Sequence, residues 1–340
     1  MSQTPQKKRI GYLEVLRTIS IFLIIFAHTG QEGVYAYLNA PGLSWLPGGI
    51  LAILSHSGVY LFFMISGSLL LERRETIAQV WKKRVVRMLI VLVVVSLIHY
   101  SLRCLGSAAM TFSAKDLLLG IYQGMVTTTL WYMYVFISFL LVLPILQVSL
   151  QSLPDHMFPY LIVLGMILES ILPALEGTLG HSRFSLLAFP GFAFVAVLGY
   201  YIRCRSGELF YDRRFAWGSF LISMGFLIVS AVWNGQNPYP SLDRFNPIIC
   251  FGIFVFARYL EHVHPMPGRA IAFWSFLGAG TFGTYLFEEQ LRNLTHPVYG
   301  ALLPHLGTYP ASILWILAAS VLGILLVRLV KLIPPVGRAI

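Results

Sequence analysis

Ten apolar runs, each close to the roughly 20 residues that cross a bilayer as a helix, follow one another along this chain with short connections between them. They lie at about 13–30, 48–71, 85–104, 128–150, 158–175, 186–203, 215–234, 246–262, 270–291 and 310–333. A backbone in lipid must satisfy its own hydrogen bonds, so runs of this length fold as helices. Hydrophobic residues make up 57% of the chain and charged residues 11%, and mean hydropathy is +0.75, outside the range of a soluble globular domain. The expected fold is an all-α integral membrane protein, a bundle of about ten transmembrane helices. No connection is long enough to fold separately, so 1–340 is expected to form one domain without a soluble catalytic appendage. The fifth run is short and is expected to end at Pro173. No small-residue cleavage site follows the first run, which is therefore expected to stay as an anchor.

Charge orients the bundle. With the N-terminus in the cytoplasm, the inner side collects Lys7, Lys8, Arg9, Arg73, Arg74, Lys82, Lys83, Arg84, Arg87, Arg203, Arg205, Arg213, Arg214, Arg258, Arg269, Arg328, Lys331 and Arg338. The outer side receives Arg103, Lys115, Arg183, Arg244 and Arg292, eighteen against five. Both termini are thus expected in the cytoplasm. The net charge of +10 serves topology and contact with anionic lipid, and no nucleic-acid site is read into it. Cys104, Cys204 and Cys250 are an odd number without close spacing and give no disulfide or metal framework. His262 and His264 have no Cys or acidic cluster beside them, and no metal site is expected.

Several polar residues interrupt the apolar runs. Arg17 and His28, eleven positions apart in the first run, share one helical face about 16 Å apart along the axis. A charged residue at membrane depth faces a protein interior or a water-filled cavity, and function is the default reading. Glu14, one turn before Arg17, pairs with it at i, i+3 in the ordinary structural explanation. The second run ends in Leu61-Phe62-Phe63-Met64-Ile65-Ser66-Gly67-Ser68, where small residues either let helices approach closely or leave room for a ligand. Arg84 and Arg87, three apart at the start of the third run, point the same way on a helix, and guanidinium groups there suit a phosphate or pyrophosphate. His28, His56, Glu169, Glu288 and Glu289 are expected in the outer half, where a near-neutral imidazole accepts a proton and a carboxylate fixes its tautomer. For His56 the structural explanation is a hydrogen-bonded core histidine, and for the Glu pair it is interfacial charge.

Tyr12-Leu13-Glu14-Val15-Leu16-Arg17 and the apolar run to His28 resemble the opening of membrane acyltransferase family 3, whose signature is an arginine and a histidine separated by ten residues. Leu61 to Gly67 resembles that family's Phe-Phe, Ser-Gly segment, and Arg84 with Arg87 its paired arginines. Leu130-Trp131-Tyr132-Met133-Tyr134, continuing to Leu143-Pro144-Ile145-Leu146, is similar to the Leu-Trp-Phe and Pro-Leu segment of a short branch that includes the O-acetyltransferase of enterobacterial common antigen. One departure is that Glu288 stands where this family often has a histidine, in Thr284-Tyr285-Leu286-Phe287-Glu288.

The resemblance implies an acyl-CoA donor, acetyl-CoA in the first instance, entering from the cytoplasm, and an acceptor hydroxyl on an envelope glycan or lipid-linked saccharide outside a bacterial plasma membrane. It assigns CoA phosphates to Arg84 and Arg87, with Ser66 and Gly67 beside the donor, and makes His28 either the general base or a transient acyl carrier. Arg17 supports the thioester arm or the tunnel, and Glu288, His56, Trp131 and Tyr132 stand on the acceptor path. The implied partners are acyl-CoA, the glycan acceptor, membrane lipid and, in an assembled form, further copies of the chain. Buried Arg, His and Glu also mark transport paths, so a transporter or flippase for an anionic or lipid-linked substrate is the alternative. Against it, the sequence has no internal repeat, although Pro144 and Pro247 are candidate breaks.

Overall fold

The computed structural model describes residues 9–107, 110–179, 191–237 and 240–332. Lys7, Lys8, Arg183 and Arg338, used above to orient the chain, lie outside them. No strand occurs among the described residues, and the helices are α1 Gly11–Ala27, α2 Trp45–Leu70, α3 Ile77–Val80, α4 Val86–Gly106, α5 Ala114–Gln123, α6 Trp131–Ser152, α7 Met157–Met166, α8 Leu172–Leu179, α9 Gly191–Tyr200, α10 Arg213–Asn234, α11 Asn246–Val263, α12 Gly268–Gly278, α13 Thr281–Leu286, α14 Glu288–Leu306 and α15 Thr308–Val330. The ten apolar runs fall on these helices in their described parts. Among the described residues, six helical segments are long and apolar enough to cross a membrane unaided, and a seventh if α12 to α14 form one broken span.

Short π-helical turns join several helices end to end: Trp81–Val85 leads into α4, Ile167–Ile171 joins α7 to α8, and Tyr201–Arg205 extends α9. The second corrects the expected stop at Pro173, since helix continues to Leu179. A proline removes the amide that would bond four residues back, and the π-turn over Ile167–Ile171 changes the ladder where that partner, Glu169, lies. Pro144 sits inside an unbroken α6, and Pro247 stands in the first turn of α11, where a missing amide costs nothing. The real break is in the ninth run, where the chain turns through 99° between Leu286 and Glu288.

The chain divides into two units by contact, one comprising residues up to Leu69 and Pro154–Val327, the other Leu70–Leu153 and the segment from Arg328. In the first, α1 packs on α11, α12 and α13, and α10 packs along α11. Two glycines set the crossing of α2 and α9. A methyl group on Gly67 would lie 1.9 Å from the Ala196 carbonyl oxygen, and one on Gly199 would lie 1.9 Å from that of Met64. In the second, Tyr100, Leu117 and Val126 form a small core with Cys104 and Ile121. On α4 the residues Leu89, Ile90, Val93, Val94, Leu97 and Ile98 are exposed, and their spacing makes one continuous apolar face suited to lipid.

Candidate active site

Helix α1 carries no side-chain cap of its own. Its first amides are satisfied from across the fold: Gly11 and Tyr12 donate to Oε1 and Oε2 of Glu261 at 3.0 and 2.6 Å, a carboxylate at the positive end of the helix. One turn on, Arg17 Nη1 donates to Glu14 Oε2 at 3.0 Å, and Glu14 is buried. Gly278 of α12 makes room for that carboxylate, because a methyl group there would lie 2.3 Å from Glu14 Oε2. Arg17 is therefore held by the i, i+3 pair that the sequence offers.

The helix ends at Ala27, and His28 is its C-terminal cap residue with its amide on the Ile25 carbonyl. Thr29 then turns the chain, donating its hydroxyl to the Phe26 carbonyl and accepting the Val34 amide. At this end the imidazole meets Glu288. Nδ1 of His28 lies 3.2 Å from Glu288 Oε1, and Glu288 Oε2 accepts from Arg292 Nε at 2.9 Å. The first contact lacks the alignment of a full hydrogen bond, and neither Nδ1 nor Oε1 has another partner. The carboxylate is fully buried, whereas 26% of the His28 side chain is exposed. Because Nδ1 is itself buried, that exposure belongs to the rest of the side chain.

The break after α13 creates this arrangement. Phe287 leaves helical geometry at φ −121°, ψ 21°, and α14 restarts at Glu288, which places a carboxylate in the first turn of a helix. Non-helical backbone at membrane depth is tolerated where protein buries it or a cavity takes it up. With Nδ1–H facing an ionised carboxylate, Nε2 keeps its lone pair, the tautomer that a general base or nucleophile requires.

Arg84 and Arg87 are distinguished by their surroundings. Arg84 lies in the π-turn, which alters the register on which their three-residue spacing depends. It donates through Nε and Nη2 to both oxygens of Glu75, at 2.8 and 2.9 Å. That guanidinium holds the Glu75 carboxyl below the usual carboxylate range, against the opposing effect of burial. Arg87 is exposed. Burial lowers the Lys331 ammonium below the usual lysine range, and the positive charges of Arg328 and Arg87 lower it further, so the three cations share one neighbourhood.

Other expected site residues sit in ordinary packing. Gly67 is filled by the α9 backbone, and Tyr132 is buried with its ring 5.7 Å from Phe136, while Trp131 at the start of α6 is 39% exposed. Ser66 is half-buried. His56 Nδ1 is 3.0 Å from the Ala52 carbonyl of its own helix, so Nδ1 donates and Nε2 is left as the acceptor. Among the described residues no group of His, Cys, Asp and Glu is placed to hold a metal ion.

Sequence reasoning missed Arg292, which it counted as outer-side charge although it stands at i, i+4 from Glu288. It also missed Glu75 and Glu261, which reach their partners from distant positions that no periodicity reveals. Comparison with curated proteins and with solved structures returns no match. A family model described as an acyltransferase domain matches residues 10–329, nearly the whole chain and both units, and the protein belongs to acyltransferase family 3.

Proposed function

We propose that this protein is an integral membrane O-acyltransferase of a bacterial plasma membrane. It moves an acyl group, acetyl in the first instance, from cytoplasmic acyl-CoA to a hydroxyl of an extracytoplasmic envelope glycan or lipid-linked saccharide. The observation that carries the reading is the buried Glu288 carboxylate against Nδ1 of His28, in a chain of an acyltransferase family. Its motifs ally it with the short branch that includes the O-acetyltransferase of enterobacterial common antigen.

His28 Nε2 takes the proton of the acceptor hydroxyl as that oxygen attacks the thioester carbonyl. The carbon–sulfur bond then breaks, and the imidazolium returns the proton to the departing thiolate. In the covalent variant Nε2 attacks the thioester carbonyl and expels the CoA thiolate, and the acceptor hydroxyl then attacks the acyl-imidazole, breaking the N–acyl bond as its proton passes to the freed Nε2. Glu288 serves both routes by fixing the tautomer and balancing positive charge on the ring. Arg17, set in place by Glu14, supports the thioester arm. Arg87, with Arg328 and Lys331 near it, and Arg84 hold CoA phosphates. Ser66 lies beside the donor, and Gly67 contributes by setting the helix crossing. His56, Trp131 and Tyr132 stand on the acceptor path.

The test is acyl transfer in vesicles with radiolabelled acetyl-CoA on the cytoplasmic face, comparing wild type with His28→Ala at matched folded amounts. Labelled envelope product from wild type and its loss in the variant support the transferase. Full labelling in His28→Ala removes the proposed centre, and absence of wild-type labelling with any acyl-CoA favours transport of an anionic or lipid-linked substrate.

A further inference from the structure

Away from His28, the same unit contains a cavity of about 300 Å³ that the reaction above does not use. It lies where the N-terminus of α1 meets the C-terminal ends of α9 and α11, and Tyr12, Arg203, Tyr211, Arg258, Glu261 and His262 line it. Arg258 is only 8% exposed. Its guanidinium meets neutral groups alone: the Ile202 carbonyl, the hydroxyls of Ser206 and Tyr211, and the Tyr211 ring, with 4.4 Å from Cζ to the centroid. Arg203 donates to the Ser68 carbonyl from the π-turn Tyr201–Arg205. The lining holds two guanidinium groups and one carboxylate, and both oxygens of Glu261 accept α1 amides rather than a direct bond from Arg258. Tyr12 is 6% exposed, and its buried hydroxyl has no hydrogen-bonding partner.

A buried cation that no carboxylate touches is costly, and a buried hydroxyl without a partner is costly too. A single ligand relieves both. The donors converge from α1, from the end of α9 and from α11, so an oxyanion with several oxygens in different directions suits them better than a planar carboxylate with two. Guanidinium groups in addition bind phosphate oxygens in pairs. We propose that this cavity binds a phosphate group, carried by the ester of a soluble donor or by an anionic lipid headgroup. The proposal concerns binding and does not depend on the acyl-transfer reading.

The test measures binding of inorganic pyrophosphate to the full chain in neutral detergent, in an Arg84→Gln, Arg87→Gln background that removes the other basic group. Pyrophosphate is expected to raise the thermal midpoint of this parent. Tyr12→Phe is expected to weaken pyrophosphate binding about 10-fold or more, the scale of a hydrogen bond to a charged group, while raising the midpoint of the free protein by removing an unpartnered buried hydroxyl. Arg258→Gln is expected to abolish the effect, and Tyr12→Phe keeps the test decisive if that variant does not fold. Coenzyme A competing with pyrophosphate identifies a soluble ester as the source, and competition only by phosphatidylglycerol in mixed micelles identifies a headgroup. No response to pyrophosphate in the parent, or equal binding by Tyr12→Phe and parent, overturns the site. A chain that binds pyrophosphate through Tyr12 yet transfers no acyl group would count against the proposed function and leave this site standing.

Discussion

His28 caps the C-terminus of the first helix with its Nδ1 3.2 Å from Oε1 of Glu288, the first residue after a 99° break in the chain. Residues 260 positions apart in sequence thus form a unit of imidazole, buried carboxylate and arginine, because Arg292 holds the other carboxylate oxygen. The arrangement suits a histidine whose ring is held in one orientation and whose positive charge is balanced when it forms.

Glu288→Gln is expected to lower kcat of acyl transfer by about 10- to 100-fold, the usual cost of losing a partner that orients a reacting histidine. The amide keeps the shape but not the charge that stabilises imidazolium, so KM should move little. Glu288→Asp should recover part of the loss. Equal kcat for Glu288→Gln and wild type would show that the carboxylate only fills space.

Much of this was legible in the sequence, and the reasons for the rest are physical. The apolar runs announce helices because lipid leaves the backbone no alternative, and the i, i+3 spacing of Glu14 and Arg17 announces their pair. The identity of His28 and Glu288 as polar intrusions was also readable. Their juxtaposition was not, since it depends on the break at Phe287, and Thr281 to Leu286 carries no proline, while its one glycine, Gly283, lies inside α13 rather than at the break. Arg84 is legible as a basic residue suited to phosphate, but its pairing is not, because nothing in the spacing tells that Glu75 folds back to meet it.

The Arg84 and Glu75 pair gives a pH dependence with a definite sign. The Glu75 carboxyl is held below its usual range by Arg84, so the folded state binds that proton less readily than the unfolded state. The pair's stabilisation is complete above the ordinary carboxylate range and is lost as pH falls through the depressed folded-state value. Both side chains are partly exposed, at 20% and 15%, and the contribution is of order 1 kcal/mol or less. Thermal midpoints measured from pH 7 downward should fall in acid for wild type, and Glu75→Gln should start lower and decline less. Parallel curves for the two proteins would refute this.

Gly67 and Gly199 are predicted to matter for folding rather than for affinity. A methyl group on either would overlap a backbone carbonyl of the facing helix, and backbone cannot move aside cheaply, so Gly67→Ala and Gly199→Ala should each cost about 1–3 kcal/mol. The half-buried Ser66 should tolerate alanine with little loss of folded protein. Size-exclusion profiles in detergent would show reduced monodisperse yield for the two glycine variants alone. A normally folded Gly67→Ala with weakened CoA binding would instead make this position a donor contact.

Arg17 is the residue for which structure and function must be separated, because it bonds buried Glu14 at 3.0 Å while standing on the helix that ends at His28. Arg17→Ala leaves that carboxylate only a 4.0 Å contact with Arg9 and should cost roughly 1–3 kcal/mol, so lost activity in the single variant is ambiguous. The variant Glu14→Gln with Arg17→Met removes both charges and retains bulk, and replacing a whole buried pair is often neutral where breaking one is not. Its thermal midpoint should return close to that of wild type. If Arg17 acts on the thioester arm, acyl transfer stays lost at this recovered stability, whereas recovery of activity together with stability would confine Arg17 to holding the fold.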